Sequence, residues 1–499
     1  MSGGVMFHRR AFGKLAIGGR AIGGLAVAVL MSALVIFSPA AGASAAEPIR
    51  IRVHDGMLVG SVDAGVATFK GVPYAAPPVD SLRLSLPQPP PKWSGERMAD
   101  DFGPSCQQRS TPRNTPSGSR AAQLSEDCLT LNVWAPQSAQ KAAQKAPVMV
   151  WLHGGGNEDG SAAGTYYDGT AFARDGVVLV SLNYRLGAMG FQANKGEANF
   201  GLWDQVAALK WVHDNIAAFG GDPANVTLFG ESAGGQDTVV LMTAVPARGL
   251  FQKAIVESGG NDWDPLPTMQ KAASEADKHW SPMVIDGHLL KESPLAAFAA
   301  GRVAHIPLII GTNSQEGSLL SLDAHSEGLF PKLSKEDQAQ LAKLYGARAS
   351  DDASLARLEF RDGYFASQAR WIAGKVAASG ASAYLYRFEY VLGVLQGRRN
   401  GAYHGSEIPF VFDNLPSLRV DDDDRHVERA LHECWIAFAR TGKPTCAAAP
   451  DWPAFGAEQK WMVIDAHPAA RPIEDTAILD LFQCRLADPS LVVGLCPAK

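Results

Sequence analysis

The chain has 499 residues, of which 46% are hydrophobic and 19% charged, with a formal net charge of −6. That length admits two or three domains, although large α/β enzymes also run as one. The mildly acidic balance, with no basic stripe in the body of the chain, argues against a nucleic-acid partner.

Residues 1–46 read as a targeting segment and are set aside before any fold reasoning. Arg9, Arg10, Lys14 and Arg20 precede an apolar stretch over 21–37, and the small residues Ala43, Ser44, Ala45 and Ala46 follow it. This three-part pattern is that of a signal peptide. The pair Arg9-Arg10 also fits a twin-arginine export signal, with His8 where Ser or Thr is more usual, so the export route stays open. The apolar run, about 17 residues, is short for a membrane span, and no later segment is long and apolar enough for one. The expectation is an exported protein, periplasmic or secreted, without stable membrane insertion. All six cysteines, Cys106, Cys128, Cys434, Cys446, Cys484 and Cys496, follow the signal. An even number in an exported chain points to disulfides.

From 47 to 499 no repeat, low-complexity linker or composition break divides the chain, so a single domain is expected. Apolar, β-branched runs predict strands at 49–53, 129–133, 148–152, 177–182, 226–229, 306–310 and 384–388. The Ala/Gln/Lys-rich stretch 137–146 reads as a solvated loop. At the end of the 148–152 strand stands His153-Gly154-Gly155-Gly156. Alone, three glycines are a flexible turn. Next comes a helical pattern in which Leu202, Val206, Leu209, Val212, Ile216 and Phe219 recur every three or four residues until Gly220-Gly221 ends it. That stripe is core.

Gly230-Glu231-Ser232-Ala233-Gly234 follows the 226–229 strand and leads into another apolar, helical segment. A nucleophile elbow needs this strand-turn-helix context, with small residues allowing the sharp turn that presents the Ser hydroxyl. Paired with it, the glycine run gains a meaning. The N–H groups of Gly155, Gly156 and Ala233 are candidates for an oxyanion hole, each such donor contributing roughly 3 kcal/mol in the transition state. Farther on, the acidic run Asp421 to Asp424 reads as a solvated loop. A helix is expected over 427–440, where Val427, Leu431, Trp435 and Phe438 share a stripe and Gly442 follows. Strands alternating with helices make the fold class α/β, a central, mostly parallel twisted sheet with helices on both faces.

Several motifs in order carry a resemblance to the type-B carboxylesterases, the family of carboxylesterases, cholinesterases and related lipases. They are Phe69-Lys70-Gly71-Val72-Pro73-Tyr74, Ser125-Glu126-Asp127-Cys128-Leu129, Asn183-Tyr184-Arg185-Leu186-Gly187 and Phe219-Gly220-Gly221-Asp222-Pro223. The resemblance covers nearly all of the chain after 46 and implies the α/β-hydrolase fold. It also implies the rest of a triad with Ser232 as nucleophile. Gly311-Thr312-Asn313-Ser314-Gln315-Glu316-Gly317 matches the family's acid motif and selects Glu316. Gly401-Ala402-Tyr403-His404-Gly405 matches its histidine motif and selects His404. Without it, twelve histidines leave the base ambiguous, with His153 and His213 as competitors.

The implied activity is hydrolysis of small-molecule carboxylic esters through an acyl-enzyme, a chemistry needing no metal or cofactor. A lipase acting at lipid interfaces and a non-catalytic adhesion homologue are the alternatives. The same resemblance pairs Arg185 with Asp204 beneath the site, closes a loop by a Cys106–Cys128 disulfide, and sets Glu231 and Glu407 behind the triad. It leaves the pairing of the four late cysteines, the natural ester and the oligomeric state undecided. The chain departs from the family at 260–282, which is short and lacks the usual cysteine-containing helical part. It departs again at Asn157, where many members carry an aromatic residue. Between Gln107 and Asp127 it has no Trp, Tyr or Phe but carries Arg109, Arg113 and Arg120.

Overall fold

The apolar runs pair into one sheet. A computed structural model of the chain describes residues 47–112, 114–260, 266–274, 283–320, 325, 335–416, 419–449 and 451–487. The expected signal peptide, Arg113, most of 260–282 and Cys496 lie outside the described residues. Among these, thirteen strands form the main sheet: β1 (Glu47–Val53), β2 (Gly56–Asp63), β3 (Val66–Pro73), β4 (Glu96–Met98), β5 (Thr130–Pro136), β6 (Ala146–Leu152), β7 (Val178–Leu182), β8 (Gly221–Glu231), β9 (Lys253–Glu257), β10 (Leu308–Asn313), β11 (Ala383–Phe388), β12 (Lys460–Ile464) and β13 (Ala469–Pro472). Their spatial order is β1-β2-β3-β5-β7-β6-β8-β9-β10-β11-β12-β13, with β4 beside β2. From β7 through β12 every neighbouring pair is parallel, while β1, β2, β3, β5 and β13 pair antiparallel along the order.

A parallel sheet needs cover on both faces, and the central strands are apolar throughout for that reason. On β6, Val148, Val150 and Leu152 belong to one core layer and Met149 and Trp151 to the other, all fully buried. The first layer is completed by α1 (Phe200–Asn215) through Leu202, Val206, Leu209 and Val212, and by Ile372 and Val376 of α3 (Ser367–Ala378); α2 (Ala233–Thr243) adds Val239 and Val240. The opposite layer receives Val427, Leu431, Trp435 and Phe438 of α4 (Asp422–Thr441). The α/β-hydrolase expectation holds, with helices on both faces.

Two local readings need correction. The run Asp421 to Asp424 is no solvated loop: Asp421 caps α4 by accepting the Asp424 N–H at 2.8 Å, and the acidic first turn complements the helix dipole. Asp424 is itself fully buried, accepting from Tyr390 Oη and the Gly393 N–H, both at 2.8 Å. The strands β2, β3, β4, β9, β12 and β13 were not anticipated; β4, β9, β12 and β13, of 3, 5, 5 and 4 residues, are too short for periodicity to distinguish them from other apolar segments.

Candidate active site

Parallel strands that all run the same way deliver their following loops to one edge of the sheet, where α/β folds collect ligands. The loop after β6 holds the glycine run, that after β8 holds Ser232, that after β10 holds Glu316, and the loop beyond β11 holds His404. At Ser232 the backbone turns from β8 into α2 with φ 56° and ψ −121°, a region L residues avoid at a cost of about 1–3 kcal/mol. The turn is held by the Ser232 N–H, which donates to Glu257 O at 2.9 Å, and by Ser232 O, which accepts from the Gln236 N–H at 2.8 Å. A Cβ on Gly234 would stand 2.0 Å from Leu152 O, so only glycine lets α2 start this close to the end of β6.

Glu316 and His404 come together from loops that are laced to each other. The Gln315 N–H donates to Ala402 O at 2.8 Å, the Ala402 N–H to Ser314 Oγ at 2.9 Å and the His404 N–H to Ser318 Oγ at 3.1 Å. His404 Nδ1 then lies 2.6 Å from Glu316 Oε2. The other carboxylate oxygen accepts from Ser258 Oγ at 2.6 Å, Thr312 Oγ1 at 2.9 Å and the Asn313 N–H at 2.7 Å. Burial alone would raise the Glu316 pKa. The adjoining imidazole and these donors outweigh it and hold the carboxylate below its ordinary range. Motif matching found Glu316 but gave no sign of Ser258, whose contact depends on β9 and β10 being neighbours.

The opposite ring nitrogen faces Glu231: His404 Nε2 lies 3.1 Å from Glu231 Oε1, and neither atom makes a hydrogen bond among the described residues. Glu231, Glu257, Glu316 and Glu407 are all buried here. Burial pushes Glu231 up to about 7 against the pull of His404 and pushes Glu407 up to about 8; it also raises Glu257 well above the ordinary carboxylate range, even though Trp435 Nε1 donates to Glu257 Oε1 at 2.7 Å. Asn313 Nδ2 donates to Glu407. For His404 the balance runs the other way: burial disfavours the imidazolium, but Glu231, Glu316 and Glu407 overcome it and raise its pKa to about 10. An unperturbed imidazole, near 6.5, is therefore a poor guide to this one. Phe365, in the π-helical turn Arg361–Ala366, packs its ring 5.5 Å from that of His404.

The glycine run forms a tight loop beside the elbow. Gly155 has φ 116°, and a Cβ there would meet Asp159 O at 2.0 Å. The N–H groups of Gly155, Gly156 and Ala233 donate no hydrogen bond among the described residues. Gln108 clasps the far end of the loop, accepting the Gly160 N–H at 3.0 Å and donating to Gly160 O at 2.8 Å. That residue stands just beyond Cys106, which is disulfide-bonded to Cys128. A second disulfide joins Cys434 to Cys446. Arg185 and Asp204 form a buried bidentate pair at 2.7 and 2.8 Å. Of the competing histidines, His153 is buried, stacked on Tyr184 and 2.9 Å from Gly154 O, with burial lowering its pKa to about 4. His213 is exposed on α1, 2.9 Å from Asp214.

Residues 47–279 and 266–478 match the model of the carboxylesterase family. The chain is 36% identical to a para-nitrobenzyl esterase of Bacillus subtilis (strain 168) over 468 residues, 82% of this chain and 93% of that protein. It is 35% identical to a fumonisin B1 esterase of Sphingopyxis macrogoltabida, over 82% of this chain and 85% of the relative. A solved PNB esterase superposes with a TM-score of 0.74 at 32% identity, covering 88% of this chain and 99% of the other.

Proposed function

The chain belongs to the carboxylesterase family and is a carboxylic ester hydrolase, and from that premise we propose that it works through Ser232, His404 and Glu316 by way of an acyl-enzyme. The observation that carries this reading is the 2.6 Å contact between His404 Nδ1 and Glu316 Oε2 beside a serine in a strained strand-to-helix turn. In the first step His404 Nε2 accepts a hydrogen bond from Ser232 Oγ. The imidazole then takes the hydroxyl proton as Oγ bonds to the ester carbonyl carbon. Negative charge passes to the carbonyl oxygen, where the N–H groups of Gly155, Gly156 and Ala233 receive it. Collapse of this intermediate breaks the bond to the alcohol, which leaves with the proton that His404 returns. Water repeats the sequence on the acyl-enzyme, giving acid and free Ser232. Glu316 fixes the imidazole tautomer and stabilises the imidazolium.

The two disulfides support an exported enzyme, with residues 1–46 as its signal peptide. No helix among the described residues is long and apolar enough to cross a membrane. Ser232→Ala tests the central claim. Its kcat should fall by about 10⁴-fold or more while the thermal unfolding midpoint holds, because the hydroxyl supplies chemistry rather than packing. A folded variant with near-native turnover overturns the assignment.

A further inference from the structure

The residue after the glycine run has side-chain contacts that tie its loop to a neighbouring helix. Asn157 follows Gly155 and Gly156 in the same loop, in a left-handed conformation with φ 59°, and its carbonyl accepts the Gly187 N–H at 2.7 Å. Its side chain turns toward α2. Asn157 Nδ2 donates to Asp237 Oδ1 at 3.0 Å, and Tyr184 Oη lies 3.1 Å from Asn157 Oδ1. Asp237 is fully buried and takes a second amide on its other oxygen, from Gln205 Nε2 of α1 at 2.5 Å. It stands on the helix that begins at the elbow, so the loop is joined to the element that carries Ser232. Burying a carboxylate is unfavourable without such donors, and here burial pushes Asp237 up to about 7 against the two amides.

We propose that Asn157 is a positioning residue, which through Asp237 locks the Gly155 and Gly156 N–H groups at a fixed place relative to Ser232. This rests on the reading of those glycines as oxyanion donors. A glycine-rich loop is conformationally free by nature. Oxyanion donors, in contrast, act only if they already point at the position where charge develops. Gln108 holds the Gly160 end of the loop from outside, and Asn157 holds it from the nucleophile's own helix. The pair links the two halves of the site by a contact that neither glycine motif contains.

The test uses the full-length purified protein, p-nitrophenyl butyrate as substrate and covalent labelling by diisopropyl fluorophosphate with peptide mapping. Asn157→Ala should lose about tenfold or more in kcat with KM within about threefold, since an oxyanion contact is made in the transition state and not in the bound ester. Asn157→Asp, assayed at alkaline pH where both acids ionise, sets two carboxylates against each other and should be at least as slow. The exchanged double variant, Asn157→Asp with Asp237→Asn, keeps one amide and one carboxylate in contact and should recover to within about threefold of the native kcat. A native kcat in Asn157→Ala, or a folded double variant no faster than Asn157→Asp, overturns the proposal. Should Asn157→Ala not fold, the two remaining variants decide. Labelling separates the levels: native protein modified at a residue other than Ser232 removes the reading of the site itself. Modification at Ser232 together with a native-like Asn157→Ala removes only the role of Asn157.

Discussion

His404 sits among more negative charge than a triad requires. Glu316 contacts Nδ1, whereas Glu231 lies at Nε2, which in the proposed mechanism receives the serine proton, and Glu407 adds a third carboxyl group. These groups interact strongly enough to titrate as a cluster, so the acid limb of the pH–rate profile belongs to the cluster and not to one imidazole. The sign of a single change is nevertheless defined. Glu231→Gln removes a negative charge that favours the imidazolium, so the neutral base persists to lower pH. The acid limb of kcat/KM should move to lower pH than in the native protein. A limb that stays in place or moves upward would show that Glu231 does not act on His404 charge.

At the scale of elements, the site depends on helix ends as much as on strands. The first turn of α4 carries Asp422, Asp423 and Asp424 behind the Asp421 cap, and the same helix supplies Trp435 to Glu257. Asp421→Ala removes the side-chain acceptor for the Asp424 N–H and should lower unfolding free energy by about 0.5–2 kcal/mol, read from urea denaturation. Activity at saturating substrate should be nearly unchanged, since Trp435 lies several turns away from the cap. An unaltered midpoint would mean that water replaces the cap at no loss. Sequence periodicity found α4 from its apolar stripe but started it late, because capping depends on a side chain folding back on its own backbone.

For the molecule as a whole, the Cys106–Cys128 disulfide closes a loop of 22 residues that reaches the glycine loop through Gln108. Replacing both cysteines with alanine should reduce stability by about 3 kcal/mol, measured by urea unfolding under oxidising conditions. Equal stability of the variant would assign the loop's order to its hydrogen bonds alone. The same loop has no aromatic residue and leaves Arg109 and Arg120 exposed, so a cation–π platform for quaternary ammonium is missing from it. The kcat/KM for a choline ester should therefore exceed that for its uncharged carbon isostere by less than tenfold, about 1.4 kcal/mol. A larger preference would place an aromatic platform on another element. By itself the sequence pointed to the fold class and to the strand-turn-helix context of Ser232, because these are set by short-range chain chemistry; Glu316 and His404 were selected by the resemblance of their motifs to a known family. Tertiary structure alone decided the pairing of Cys434 with Cys446, the presence of Ser258 at Glu316, the encirclement of His404 by glutamates and the contact of Asn157 with Asp237. Each of these joins residues from separate elements, and their meeting is governed by strand order and by the burial that parallel strands impose, neither of which leaves a local pattern in the chain.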